Sequence, residues 1–217
     1  MRKIFEAELQ ALGEDLDSMA RLVVDAISRA GEALLTQDLS LAQQVIADDQ
    51  AIDALERALD ERCVLLLAQQ QPVATDLRVV VSALRISASL ERMGDLARHI
   101  AEASRRAYPN SVLPEQLRDT YIGMIEASRR VAERVYAVVS SHDLEVADSL
   151  ERDDDLLDQL HNDVFSTVLG ESWTGNAQET VDATLLSRYF ERFGDHGVSV
   201  ARRMNFLVTG DFTRQEV

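Results

Sequence analysis

SASLERMGDLARHIA, residues 87–101, and SRYFERFGDHGVSVA, residues 187–201, are one stretch written twice at a shift of one hundred positions. Ser87, Glu91, Arg92, Gly94, Asp95 and Ala101 recur as Ser187, Glu191, Arg192, Gly194, Asp195 and Ala201. Each copy sets Glu-Arg-x-Gly-Asp inside a helical pattern, so two carboxylates share one helix face and repel by roughly 0.2–0.5 kcal/mol. A glycine in a helix interior costs about 1 kcal/mol relative to alanine, and its repetition points to a backbone, side chain or ion approaching closely there. For one copy, two solvated acidic turns with a packing glycine would be the plainer explanation. Duplication of the whole motif favours a working site.

The chain around this pair repeats too. Asp38-Leu-Ser-Leu-Ala matches Asp143-Leu-Glu-Val-Ala, and Asp48-Asp49-x-x-Ile52-Asp53 matches Asp153-Asp154-x-x-Leu157-Asp158, both at a shift of 105 residues. Apolar residues at helical spacing predict helices over residues 4–37, 39–70, 77–106, 115–140, 143–169 and 177–208, with Asp38 capping the second and Thr75 or Asp76 the third. Residues 108–114, YPNSVLP, hold two of the three prolines and form the one clear linker. The expectation is an all-α protein of six long helices, two homologous three-helix bundles in tandem, divided at 1–108 and 109–217. Three prolines and nine glycines leave little room for turns, and strands have no place in such a chain.

Composition narrows the function. With 22 Lys and Arg against 38 Asp and Glu, the net charge of -16 repels nucleic acid and anionic lipid, and favours cations and basic partner surfaces. The single cysteine, Cys63, excludes an internal disulfide and a thiolate cluster; it reads as a small buried apolar residue in a reducing cytoplasm. No secretory leader and no run of about 18 apolar residues occurs, so no direct membrane insertion is expected.

If the second and third helices of each repeat are antiparallel, residues at equal height have numbers with a constant sum. Asp53 with Glu91 and Asp49 with Asp95 both give 144; Asp158 with Glu191 and Asp154 with Asp195 both give 349. The midpoints fall at Pro72 and between Thr174 and Gly175, on the two predicted turns. Each repeat therefore sets two carboxylate pairs at matching heights, leaving only their azimuth open. Four carboxylates from two helices suit a hard cation such as Mg, Mn, Ca or oxygen-ligated Fe, so Asp49, Asp53, Glu91, Asp95, Asp154, Asp158, Glu191 and Asp195 are the candidate metal ligands. His99 and His161 stand one turn from motif acids but lack a histidine counterpart in the other repeat, where Ser199 and Glu56 occur, and are secondary candidates. Arg92 and Arg192 point off the acid face and suit a neighbouring helix, a partner or an anion. No Gly-rich phosphate loop and no nucleophile-with-base motif occurs, so no catalytic residue is expected.

At these residues the chain resembles the PhoU family of phosphate-uptake regulators over essentially its whole length. The family's acid-x-x-x-Asp motifs match Asp49/Asp53, Glu91/Asp95, Asp154/Asp158 and Glu191/Asp195, and its Glu-Arg-Ile-Gly-Asp pattern appears as ERMGD and ERFGD, with Asp76-Leu-Arg78 at the head of the third helix. His99 and Ser199 stand where the family often has asparagine. The resemblance implies a cytoplasmic, non-enzymatic negative regulator of phosphate transport and of the phosphate-starvation response. It implies as partners the ATPase of a phosphate ABC transporter and a phosphate-sensing histidine kinase; a second copy of the chain, as a homodimer, is a further candidate partner. Two other classes compete: a ferritin-like di-iron oxidoreductase, which needs two Glu-x-x-His motifs that are missing, and a purely structural helical adaptor, which leaves the duplicated acid-glycine motif unexplained.

Overall fold

The computed structural model describes residues 2–142 and 144–211. Six helices follow in order: α1 (Arg2–Thr36), α2 (Leu39–Gln70), α3 (Ala74–Ala107), α4 (Arg118–Ser141), α5 (Ala147–Val168) and α6 (Ala177–Thr209), with no strand among the described residues. Single 3-10 turns, Glu115–Leu117 and Leu144–Val146, lead into α4 and α5. Asp143, expected at the head of the fifth helix, lies outside the described residues. No described helix is long and apolar enough to cross a membrane.

Local chemistry sets the helix ends. Asp38 accepts the Leu41 amide at 3.0 Å, the expected cap of α2. At the other end of α2, Gln71 turns left-handed ahead of Pro72. Helix α3 starts three residues earlier than Leu77, where the extended Val73 gives its carbonyl to the Asp76 and Leu77 amides at 3.2 and 3.5 Å. Thr75 and Asp76 therefore sit inside the first turn instead of capping it, and Val73 takes the cap position with no side-chain bond. Helix α6 opens on a capping box in which Asn176 accepts the Glu179 amide at 3.1 Å while Glu179 accepts the Asn176 amide at 2.7 Å. Gly175 is required in that turn because a Cβ there would collide with the Trp173 ring.

Within each repeat the helices run up, down and up, and one apolar core continues through both repeats. They join along α1 with α4 and along α3 with α6. Arg106 pairs with Asp182 at 2.6 Å, the His99 and Tyr189 rings lie 5.2 Å apart, and Arg78 reaches Gly210. All three pairs have numbers summing to 288, so α3 and α6 are antiparallel and in register along their whole length. Since residues x and x+100 are equivalent in these two helices, the same register places Gly94 opposite Gly194 at mid-seam. The two hairpin turns therefore point to opposite ends of the molecule.

Two polar groups inside the core are paired across helices. The fully buried Tyr121 of α4 donates to the Ala183 carbonyl of α6 at 2.6 Å, and Ser104 of α3 donates to the Ala33 carbonyl of α1 at 3.0 Å. Replacing Tyr121 by phenylalanine removes the hydroxyl's bond to the Ala183 carbonyl, which keeps its own helical donor, and should cost about 1 kcal/mol in denaturant-unfolding free energy with the slope of the transition unchanged.

Candidate metal centre

Helices α2 and α3 bring the first four candidate acids together, and α5 and α6 the second four. Burial is the main influence that raises the carboxyl pKa of Asp49 and of Glu91, and the neighbouring Asp53 and Asp95 raise both further. In the second repeat burial likewise raises Asp158 and Glu191, with Asp195 next in effect on each. Asp49, the Oδ1 oxygen of Asp154 and Glu191 are thus turned inwards, whereas Asp158 is exposed and the Asp195 side chain is 45% exposed.

The motif glycines make this approach feasible. A Cβ on Gly94 would lie 2.8 Å from Ile52 Cδ1 and 3.1 Å from Asp49 Oδ1. On Gly194 it would collide with Asp154 Oδ1 and stand 2.9 Å from Leu157 Cδ1. The group that the repeated glycine admits is therefore a carboxylate of the facing helix, at the same place in both repeats.

The two clusters differ in what neutralises them. In the first, the Arg98 guanidinium lies between the acids: Nε donates to Asp49 Oδ2 at 2.7 Å, Nη2 to Asp95 Oδ1 at 2.6 Å and Nη1 to Glu102 at 2.9 Å. Position 198 of the second repeat is valine, so no such cation comes from the equivalent place. There Asp154 Oδ1 and Glu191 Oε2 are buried with no hydrogen-bond partner, and Glu191 is only 9% exposed. Burial first, and then Asp158 and Asp195, push Asp154 up to about 7. The other Glu191 oxygen is held by Arg188, and Arg192 stays 3.7 Å from Asp195.

These observations test whether a hard cation suits each cluster. The second donor set fits, being oxygen-only, with buried unpartnered oxygens on Asp154 and Glu191 and no guanidinium between its two helices. The first does not, because a guanidinium already bridges its two helices. Among the described residues, no three Asp, Glu, His or Cys side chains converge as they stand into a group able to hold a metal ion.

Arg98 is the site residue missed from sequence, although its signal was present: the duplication breaks there, arginine in one copy and valine in the other. Asp48 and Asp153, the other acids of the Asp-Asp pairs, face the first helix of their own repeat. Asp48 binds Arg29 at 2.8 Å, and Asp153 binds Arg130 at 2.9 Å together with Arg134. The histidines have other work. His99 stacks on Tyr189, and His161 shares a 2.9 Å hydrogen bond with Ser187 while its ring meets Phe165 edge-on. Cys63 is fully buried, and burial raises its thiol to about 11, as a packed apolar residue would show.

Comparison with known proteins accounts for both repeats at once. The family model for the PhoU domain matches twice, over residues 16–104 and 122–204. The chain belongs to the PhoU family. It is 42% identical to phosphate-specific transport system accessory protein PhoU homolog 2 of Mycobacterium tuberculosis over 212 residues, covering 98% of this chain and 100% of that one. It is 40% identical to PhoU homolog 1 of Mycobacterium leprae over 216 residues, covering 100% and 97%. The crystal structure of PhoU from Pseudomonas aeruginosa superposes with a TM-score of 0.86 at 26% identity, covering 95% of this chain and 100% of that one. The phosphate transport system regulatory protein PhoU from Streptococcus pneumoniae gives 0.82 at 27% identity, covering 96% and 98%. In PhoU terms, the Glu-Arg-x-Gly-Asp signatures are the places where two helices touch through acid and glycine.

Two outcomes follow from the geometry in metal-free protein. Arg98→Val, which makes the first cluster resemble the second, strands two inward carboxylates and should lower unfolding free energy by about 3 kcal/mol at neutral pH. For Asp154, a folded pKa above the unfolded one means that ionising the group opposes folding, so stability falls as pH rises from about 4 to about 7. Asp154→Asn should accordingly melt higher than wild type at pH 8, by on the order of 1–3 kcal/mol, and the gain should vanish as pH falls towards 4.

Proposed function

We propose that this protein is a cytoplasmic, non-enzymatic regulator of phosphate transport and of the phosphate-starvation response, acting by direct contact with the ATPase of a phosphate ABC transporter and with a phosphate-sensing histidine kinase. The observation that carries this reading is end-to-end correspondence with accessory proteins of phosphate-specific transport systems, in which both domain copies are retained.

The distribution of apolar surface supports action by contact. Among the described residues, Val64, Leu65, Val73, Leu77 and Val81 at one hairpin end, and Phe165, Leu169, Val181 and Leu185 at the other, are exposed. They make up all but two of the large exposed hydrophobics, and so mark both ends of the molecule as contact surfaces. Val73 and Leu169 stand out most, at 74% and 79% exposure.

The second acid cluster is proposed to hold one hard cation, Mg, Mn, Ca or oxygen-ligated Fe, through Asp154, Asp158, Glu191 and Asp195. In the first cluster Asp49 and Asp95 keep the Arg98 guanidinium in the corresponding place, beside Asp53 and Glu91. The cation would neutralise buried carboxylates and stiffen the α5–α6 hairpin, which carries one of the contact ends.

The regulatory reading is tested by titrating the full chain with the transporter ATPase and with the cytoplasmic part of the kinase, at phosphate excess and phosphate limitation. Val73→Glu or Leu169→Glu should weaken binding about tenfold or more while changing stability by no more than about 0.5 kcal/mol. Absence of binding to both partners by folded wild-type protein would leave the structural adaptor ahead. Metal analysis decides the second part: one ion per chain is expected, none after Glu191→Gln with Asp195→Asn, and a second ion gained by Arg98→Val.

A further inference from the structure

Arg92 pairs with Glu91 at 3.5 Å and Asp95 at 3.1 Å on its own helix, and the arginines near it gather where the two repeats meet. One side of the α3–α6 seam opens into a groove of about 590 Å³, into which Arg85, Arg92, Arg202 and Arg203 project against the carboxylates of Glu56 and Glu91. Four positive and two negative groups leave a local excess of positive charge on a chain whose net charge is -16. Random placement of a minority of cations on so acidic a protein would disperse them, since each would find carboxylates around it.

The arrangement within the groove is unfavourable as it stands. Arg85 and Arg203 have numbers summing to 288 and therefore face each other at one height of the seam. The Arg203 pKa is lowered by burial and then by the Arg85 charge. Arg85 forms no ion pair among the described residues, Arg202 stands 3.9 Å from Glu151, and Arg92 is held at 3.1 Å by Asp95.

The duplication supplies an internal comparison. By the hundred-residue shift, Arg85, Ser89, Ser199 and Arg203 of this half of the seam correspond to Leu185, Tyr189, His99 and Ala103 of the other half. There the His99 and Tyr189 rings pack 5.2 Å apart at the height where this half has Ser89 and Ser199. Ring packing thus fills one half of the seam at the heights where the other half holds a basic, open groove.

Guanidinium groups present planar pairs of N–H donors matched to the oxygens of a phosphoryl group, and they bind such anions in forked fashion. Ser89, Ser199 and His196 add short polar donors to the same groove. Its volume lies in the range that accepts ligands from a single oxyanion up to a nucleotide. We propose that this groove is a binding site for a small phosphoryl-bearing anion, either inorganic phosphate or the phosphates of a nucleotide, seated between Arg85 and Arg203 and flanked by Arg92 and Arg202. The site does not depend on the regulatory role proposed above.

The experiment is calorimetric titration of the full chain at low salt, after chelation so that no metal-bound phosphate contributes, with inorganic phosphate, with ATP and with a hexaglutamate peptide as separate probes. Saturable binding of phosphate or ATP at one site is expected, and which of the two binds more tightly distinguishes free phosphate from a nucleotide. Arg85→Gln/Arg203→Gln should weaken it about tenfold or more, whereas Arg105→Gln, which removes an exposed arginine at the far end of α3, should leave it unchanged. Phosphate or ATP should raise the melting temperature of wild type and leave that of the double variant unchanged. Should the double variant not fold, Arg85→Gln alone, at an exposed position, is expected to weaken binding at least about threefold. The proposal is overturned by absence of saturable binding of both phosphate and ATP, by binding insensitive to the arginine variants, or by preference for the hexaglutamate peptide over both.

Discussion

Carboxylates turned inwards between two packed helices are the constraint on which this structure depends. Each hairpin brings acids from both of its helices to one height, and the backbones can close only because glycine stands where the facing carboxylate arrives. Such a contact is unfavourable alone, through desolvation and through repulsion among the acids. Arg98 offsets it in the first repeat with three charge-assisted hydrogen bonds. In the second repeat Val198 leaves the debt of charge open, and the raised pKa of Asp154 is its direct expression. One backbone design thus yields a self-contained ionic clamp and a cluster that still needs a proton or a cation.

Much of this was legible in the sequence, for definite reasons. Six helices could be read because turns are scarce and apolar spacing is regular. The facing of Asp53 with Glu91 and of Asp49 with Asp95 could be read because an antiparallel hairpin fixes heights through its turn, and two independent repeats gave midpoints on their own turns. What lay beyond reach were relations not tied to a short loop. The seam between α3 and α6 joins segments about a hundred residues apart, and nothing local announces that Arg85 meets Arg203 or that His99 meets Tyr189. Arg98 was visible as a departure from the repeat, yet only its rotamer, reaching back one turn to Asp95 and across to Asp49, shows that it takes a cation's place. The head of α3 was misplaced because Thr and Asp are good caps in general, whereas here the extended Val73 takes the cap position before them.

The geometry also separates duties along the molecule. Both acid clusters lie at mid-height, beside the level where Gly94 faces Gly194, about 28 Å from the first hairpin turn at 1.5 Å per residue. Exposed apolar side chains collect instead at the two turns, and the basic groove lies along the seam. Stiff helices of 32 to 34 residues join middle to ends in the first repeat. A change of charge at the centre acts on the same rods that carry the outer surfaces, without any need for a flexible relay.

The pseudo-twofold register of the seam carries an evolutionary consequence. Two separate copies of a single repeat, docked through their third helices, would form the same antiparallel contact as an ordinary symmetric dimer, in which every side chain appears twice. Such an ancestor could have had two Arg98 clamps or none, and two arginine grooves or two ring-filled seams, but never one of each. Joining the copies through residues 108–114 released them from that symmetry. A single mutation could then alter one half while the other half continued to hold the fold. The linker, a few residues with no chemistry of their own, is what allowed the two halves to specialise.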